Sequence, residues 1–401
     1  MDVPSYLPFT RYSQKEARRK EIYLAYATRG IGGEFDNTQV VKDIVDRRIK
    51  IANILGYETY ADYALEDRMA NDKDIVNDFL ADLAKKSIAP AKKDVQQVYE
   101  FAKKNGFEGK ELMPWDFTYW SERYQETEYS LNAEELKPYL SLDNCINAVF
   151  DLANRLYGIN ITPVEGVPVY HPDVKVYDIT DVDGTHLALL YADFFPRASK
   201  RGGAWMTSFR EQYQKDGVEY RPFISMVTNF TKPTADAPSL ITHDEFVTFL
   251  HEFGHVLHGV FAEGRYPSLT GTNVPRDFVE LPSQIMENWG FEPEYLNSFA
   301  KDYRTGEVIP AELIEKVVAA KNFLAAYGQV RQLQYGTIDM AWHTLTEVPS
   351  ESVIDFEHRE LASLEVVPFL DGVASSPAFA HIFQGGYSAG YYSYKWAEVL
   401  E

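Results

Sequence analysis

Thr242-His-Asp-Glu-Phe-Val-Thr-Phe-Leu-His-Glu-Phe-Gly-His-Val-Leu-His-Gly-Val-Phe261 is the stretch whose reading decides the fold. Phe246, Phe249, Leu250, Phe253, Val256, Leu257 and Val260 place apolar side chains nearly all round a helix, so this helix is expected to be buried. Thr242 with Glu245 three residues on is a capping box that marks its start. His251 and His255 stand four residues apart and therefore share one face, with Glu252 beside them. Ionisable groups on a core helix are costly unless paired or bound to a metal. The spacing predicts a bound zinc ion, with Glu252 placed to polarise a water on it rather than to ligate.

A catalytic zinc takes three protein ligands and keeps one open position. Glu280, in Asp277-Phe-Val-Glu-Leu-Pro-Ser-Gln284, is the expected third ligand. Pro282 is tolerated in a first helical turn but not further in, so a second metal helix is predicted to begin near Phe278–Leu281. Glu287, seven residues after Glu280, falls on the same face and is placed to accept a proton from the non-liganding nitrogen of a histidine. Asp277 reads as the N-cap of that helix, and His258 as a packed or hydrogen-bonded side chain outside the ligand set. Together these residues predict a metal-dependent hydrolase.

The rest of the composition narrows the field. Across 401 residues the net charge is −21, which argues against nucleic acid and anionic membranes as partners. The cluster Lys15-Glu-Ala-Arg-Arg-Lys20 has acidic neighbours and reads as an exposed helix face. A single cysteine, Cys145, excludes an internal disulfide framework and a cysteine-based zinc site; its neighbours Leu142, Ile146, Val149 and Phe150 predict burial. No run of eighteen apolar residues is present, and the start lacks a basic region and an apolar signal core, so a soluble cytoplasmic protein is expected.

Periodicity divides the chain into three stretches of one expected metallopeptidase domain: helical over 1–163, a small β region over 164–230, and a helical core over 231–401. Helices are predicted over Ser13–Arg29, Asp36–Leu55, Tyr60–Ala70, Asp72–Asn105, Pro114–Glu126 and Leu142–Tyr157. Three more are predicted over Pro310–Ala326, Gln329–Thr346 and Phe356–Leu364, and a last one over Tyr391–Glu401. A hairpin turning at Asp183-Gly184 and a third strand from Pro222 make up the predicted sheet.

His381-Ile-Phe-Gln-Gly-Gly-Tyr387-Ser-Ala-Gly-Tyr391-Tyr-Ser-Tyr394 is a second constellation. Its glycines suggest a loop running into a helix that carries Tyr387, Tyr391 and Tyr394 at helical spacing. Spacing alone leaves two readings open: donors to a tetrahedral oxyanion, or an aromatic helix face packed in a core.

These motifs, with Pro114-Trp-Asp-Phe-Thr-Tyr-Trp120, Leu136-Lys-Pro-Tyr139, Lys200-Arg-Gly-Gly-Ala-Trp205 and Ala320-Lys-Asn-Phe323, resemble the thimet oligopeptidase, oligopeptidase A and peptidyl-dipeptidase metallopeptidases over nearly the whole chain. The resemblance implies a mainly α zincin-type fold with a small β-sheet, part of a two-lobed channel that admits short unstructured peptides. It implies one Zn2+ on His251, His255 and Glu280, Glu252 as general base, and His381, Tyr387 and Tyr394 near the transition state. Asn229-Phe-Thr-Lys-Pro-Thr234 and Leu269-Thr-Gly-Thr-Asn-Val-Pro-Arg-Asp-Phe278 look closer to the peptidyl-dipeptidase branch, and the loop Ser268–Pro275 with Arg276 is implied to carry polar contacts to substrate. Family members are longer at both ends, so the chain reads as the catalytic core of a longer protein.

Overall fold

The computed structural model describes residues 3–129 and 133–400, and Glu401, the end of the predicted last helix, lies outside them. The chain forms two compact units, each drawn from separate stretches of sequence. The first comprises Met1–Glu128, Pro275–Phe278 and Asn322–Val399; the second comprises Tyr129–Val274 and Val279–Lys321. No helix among the described residues is long and apolar enough to cross a membrane.

The first unit is helical. Its spine is the helix Lys73–Lys104, started by Asp72, whose side chain accepts from Asp74 N and Ile75 N. Lys103 and Lys104 in its last turn complement the helix dipole. It packs along Ala325–His343, burying Val76, Leu80 and Ala91 against Val330, Leu333 and Ile338. Gly336 sits at this crossing, where an added Cβ would lie 3.0 Å from a methyl of Leu80. The predicted helix Ser13–Arg29 is observed over Glu16–Ala27, and a further helix, Val3–Tyr12, precedes it. The helix predicted from Gln329 begins at Ala325, because Gly328 keeps ordinary helical backbone and Leu324 before it takes the left-handed turn at φ 52°.

The second unit carries the β structure. Strands β1 (Asn160–Pro163), β2 (Lys175–Thr180), β3 (His186–Asp193), β4 (Trp205–Arg210) and β7 (Phe223–Val227) form a sheet in the order β1-β2-β3-β7-β4. A separate hairpin joins β5 (Tyr213–Lys215) and β6 (Val218–Tyr220). The β2–β3 hairpin turns at Gly184, with φ 86°, as the Asp-Gly pair predicts. β3 and β7 are parallel, in register Leu189↔Phe223 through Asp193↔Val227. The sequence reading omits the β5–β6 hairpin and, in the sheet, β1 and β4, its two edge strands; both edge strands leave most of their side chains partly or fully exposed, so they lack the apolar alternation of a half-buried strand.

The helix His243–Val260 lies on this sheet, so close that a Cβ on Gly259 would come within 2.8 Å of Ile224. Phe246, Phe249 and Phe253 are fully buried in the core of this unit with Phe194, Ile224 and Met226. The capping box is formed as predicted, Thr242 accepting from Glu245 N while the Glu245 side chain accepts from Thr242 N. A second helix, Leu281–Glu287, packs across it, and a Cβ on Gly254 would stand 2.5 Å from Pro282 O and Ser283 Cα. Those obstacles are backbone and cannot rotate aside. Gly254→Ala is therefore expected to destabilise the protein by about 2–3 kcal/mol, because the overpacking outweighs Ala's better helix propensity. A urea midpoint at or above that of the parent, with unchanged m, contradicts this close approach.

Candidate metal centre

His251 and His255 project from the same side of His243–Val260, their rings 5.0 Å apart and nearly perpendicular. Glu280 comes to them from the residue preceding Leu281–Glu287. Its Oε2 lies 3.3 Å from His251 Nε2 and 3.2 Å from His255 Nε2. One atom from each of the three residues lies within 4.8 Å of the others. Tetrahedral bonds of about 2.0–2.1 Å separate zinc ligands by roughly 3.3 Å, so the donor types and their spacing fit that ion.

The surroundings fix the orientation of these groups. Glu287 Oε1 accepts from His251 Nδ1 at 2.7 Å, which leaves Nε2 as the nitrogen directed at Glu280. Ser283 Oγ donates to Glu280 Oε2 at 3.0 Å. Burial works against the ionised Glu280, yet hydrogen bonds from both imidazoles hold its carboxyl well below the usual range. His251 shows the converse. Burial disfavours its charge, but Glu280 and Glu287 prevail and raise it to about 10. Burial pushes Glu252 up, moderated by the two imidazoles. Its Oε2 and His255 Nδ1 are buried and have no partner among the described residues. Such unsatisfied polar atoms are rare in a folded interior.

Two sequence expectations are corrected here. Asp277 is no N-cap. Its carboxylate is consumed within the first unit by Met69 N, Ala70 N (both 3.0 Å) and Tyr392 OH (2.7 Å), and the capping position falls to Glu280. Tyr387 and Tyr391 are not helical, since the final helix starts at Ser393 and a left-handed Ala389 (φ 49°) holds the preceding residues in a turn. His258, half-buried, stays outside the metal-ligand cluster and lines a cavity of about 370 Å³ with Leu257, Thr270 and Pro282.

In the first unit the glycine-rich loop gathers its rings. Tyr387 stacks on Tyr394 at 5.2 Å, His381 lies 5.9 Å from both Tyr387 and Tyr391, and the Arg276 guanidinium sits 5.0 Å from the Tyr387 ring centre. A Cβ on Gly386 would stand 2.9 Å from Arg276 Nη2, the mobile end of a long side chain.

The groups that hold this loop were missed in the sequence. Asp339, with no exposed surface, accepts from Ala389 N (2.9 Å), Gly390 N (2.8 Å) and Tyr391 N (2.8 Å). His343 Nδ1 lies 2.8 Å from Asp339 Oδ1, and Arg48 Nη1 donates to His343 Nε2 at 2.7 Å. Arginine can only donate, so the imidazole proton is on Nδ1, facing Asp339. Arg48 also donates to Ile382 O at 2.7 Å, next to His381. The signal available was an Asp-x-x-x-His pair at i, i+4 in Asp339–His343, the spacing read for His251 and His255.

Two imidazoles from one buried helix, closed by a glutamate ahead of a second, define a centre of the zincin metallopeptidase class. The chain belongs to Peptidase family M3, matched over residues 9–401. It is 40% identical to oligopeptidase A of Escherichia coli (strain K12) across all of this chain and 60% of that one. To the dipeptidyl carboxypeptidase of the same organism it is 38% identical over 96% of this chain and 56% of the relative. The chain thus spans about 60% of the length of the oligopeptidases it matches. Among solved structures, PZ peptidase A with an inhibitor shares the fold, with a TM-score of 0.56 at 16% identity over 98% of this chain and 59% of that one.

Asp339→Asn replaces an acceptor-only group with one that presents an NH2 to backbone donors. Breaking a buried charged network in this way is expected to cost about 3–5 kcal/mol. Guanidinium denaturation measures it, and a loss below about 1 kcal/mol would show that Asp339 does not hold the loop.

Proposed function

We propose that this chain is a zinc metallopeptidase that hydrolyses short, unstructured peptides and releases dipeptides from their C-termini. The observation that carries the reading is the meeting of His251, His255 and Glu280 beside a buried Glu252 carboxylate with an unpartnered oxygen. His251, His255 and Glu280 hold the ion, which when bound acts as a Lewis acid toward a water and the scissile carbonyl. Glu252 takes the proton from the attacking water and passes it to the leaving amine. Its raised pKa, set first by burial, favours a carboxylate that can hold that proton between the two events. Glu287 keeps His251 in the tautomer that presents Nε2. His381, Tyr387 and Tyr394 donate to the oxyanion of the tetrahedral intermediate. The proximity of their rings, on either side of a glycine-rich turn anchored through Asp339, supports that role.

A second reading, an endopeptidase cutting within short peptides, is favoured by the 40% identity to oligopeptidase A. Mass spectrometry of products from matched free and amidated peptides separates the two. Dipeptides released only from the free peptide support the first reading, and internal cuts in both support the second. No cleavage of either overturns both.

Glu252→Gln is expected to lower peptide turnover by about 10²- to 10⁴-fold while the protein still binds one zinc. Full turnover in the zinc-loaded variant removes Glu252 as the base. Chelation should abolish activity and added Zn2+ should restore it; activity that survives complete zinc removal refutes the metal assignment.

A further inference from the structure

Arg331, on the helix Ala325–His343, lines a cavity of about 530 Å³ inside the first unit. Its guanidinium faces the phenols of Tyr335, Tyr327 and Tyr23. It donates to Tyr335 OH at 3.1 Å and to the side-chain oxygen of Gln334. It has no ion-pair partner among the described residues. A guanidinium stays protonated, and the hydroxyls and amide oxygen that meet this half-buried one are neutral, so no opposite charge stands beside it.

The remaining charges of the wall do not meet that need. Glu357, the one acidic residue lining the cavity, accepts from the N–H and hydroxyl of Ser375 (2.7 and 2.6 Å) and of Ser376 (2.8 and 2.6 Å). All of its lone-pair directions are used locally. Arg29, a second cation on the wall, rests on the Tyr26 ring at 3.5 Å and donates to Tyr26 O. The cavity is therefore cationic within a chain of net charge −21. His381 and Tyr391, from the glycine-rich loop, line it as well.

We propose that Arg331, with Tyr335 and Tyr23, binds a carboxylate of the peptide substrate. The geometry suits a planar anion, since a guanidinium pairs with a carboxylate through two parallel N–H···O bonds and the phenols add donors at its edge. This assignment rests on the peptidase reading above, and it supplies what a dipeptide-releasing enzyme requires, a group that recognises the free chain end. An acidic side chain offers the same chemistry and is the other source of the carboxylate.

Calorimetry on the zinc-loaded Glu252→Gln protein measures binding without turnover, so the result is independent of the catalytic assignment. Three hexapeptides serve as probes: one with a free C-terminus and one internal Glu, its C-terminal amide, and its Glu→Gln analogue. A charge-assisted pair of this kind changes affinity by about 10- to 100-fold. Amidation is expected to weaken binding by that factor while the Gln analogue is unaffected; the reverse pattern assigns the carboxylate to the side chain. Adding Arg331→Gln should weaken only the peptide that carries the recognised carboxylate, and Arg331→Lys should restore part of the loss. Equal binding of all three peptides by the Glu252→Gln protein overturns the proposal whether or not the Arg331 variants fold. So does an equal loss for all three in Arg331→Gln, which would mark a structural role. Binding with the expected selectivity but no turnover in the parent protein would sink the peptidase reading and leave this site standing.

Discussion

The carboxylate of Glu280 is 1% exposed, and ionised groups at that depth cost several kcal/mol unless opposite charge and hydrogen bonds meet them. Two imidazole nitrogens and one serine hydroxyl converge on it. That convergence dictates the surrounding architecture. Both imidazoles must come from one helix face, which fixes the four-residue spacing. The carboxylate must arrive from a second helix at nearly backbone contact, which only a glycine at 254 permits. The first helix must in turn be held rigidly, and its phenylalanines do this by entering the core beside the sheet. Removing any one of these conditions leaves a buried charge with too few partners.

Several other carboxylates are buried to a similar degree, and their treatment differs in an informative way. Asp193 is gripped at both oxygens by Arg197 and also meets Lys200. Asp277, Asp339 and Glu357 each accept from backbone N–H groups of segments distant in sequence. These are structural acids, saturated with donors. Glu252 stands apart because one of its oxygens is buried without a donor among the described residues. Arg331 is the cationic counterpart, enclosed without an opposite charge.

How much of this was legible in the sequence depends on the range of the interaction. The helix Leu142–Tyr157 matches its prediction to the residue, because a strong apolar stripe and a terminal Gly158 are local signals. The shared face of His251 and His255 was also legible, since helical spacing encodes it, and the structure brings the expected Glu280 and Glu287 to them. Asp277 was misread because its partners at Met69 and Ala70 lie 208 and 207 residues away, while its sequence neighbourhood suggests a cap. The same blindness hid the Arg48 contact to His343, 295 residues distant. The Tyr387–Tyr391 turn was read as helix because tyrosines at four-residue spacing fit either state. The deciding groups, the Asp339 oxygens, are far off in the chain.

Asp339 and Arg48 hold the glycine-rich loop through its peptide groups, not through its side chains. Every amino acid except proline offers the same N–H, but Ala389 takes the left-handed backbone (φ 49°), which favours glycine or asparagine there over a β-branched residue. At 389 the choice of residue is thus set by backbone geometry and not by the chemistry of its side chain.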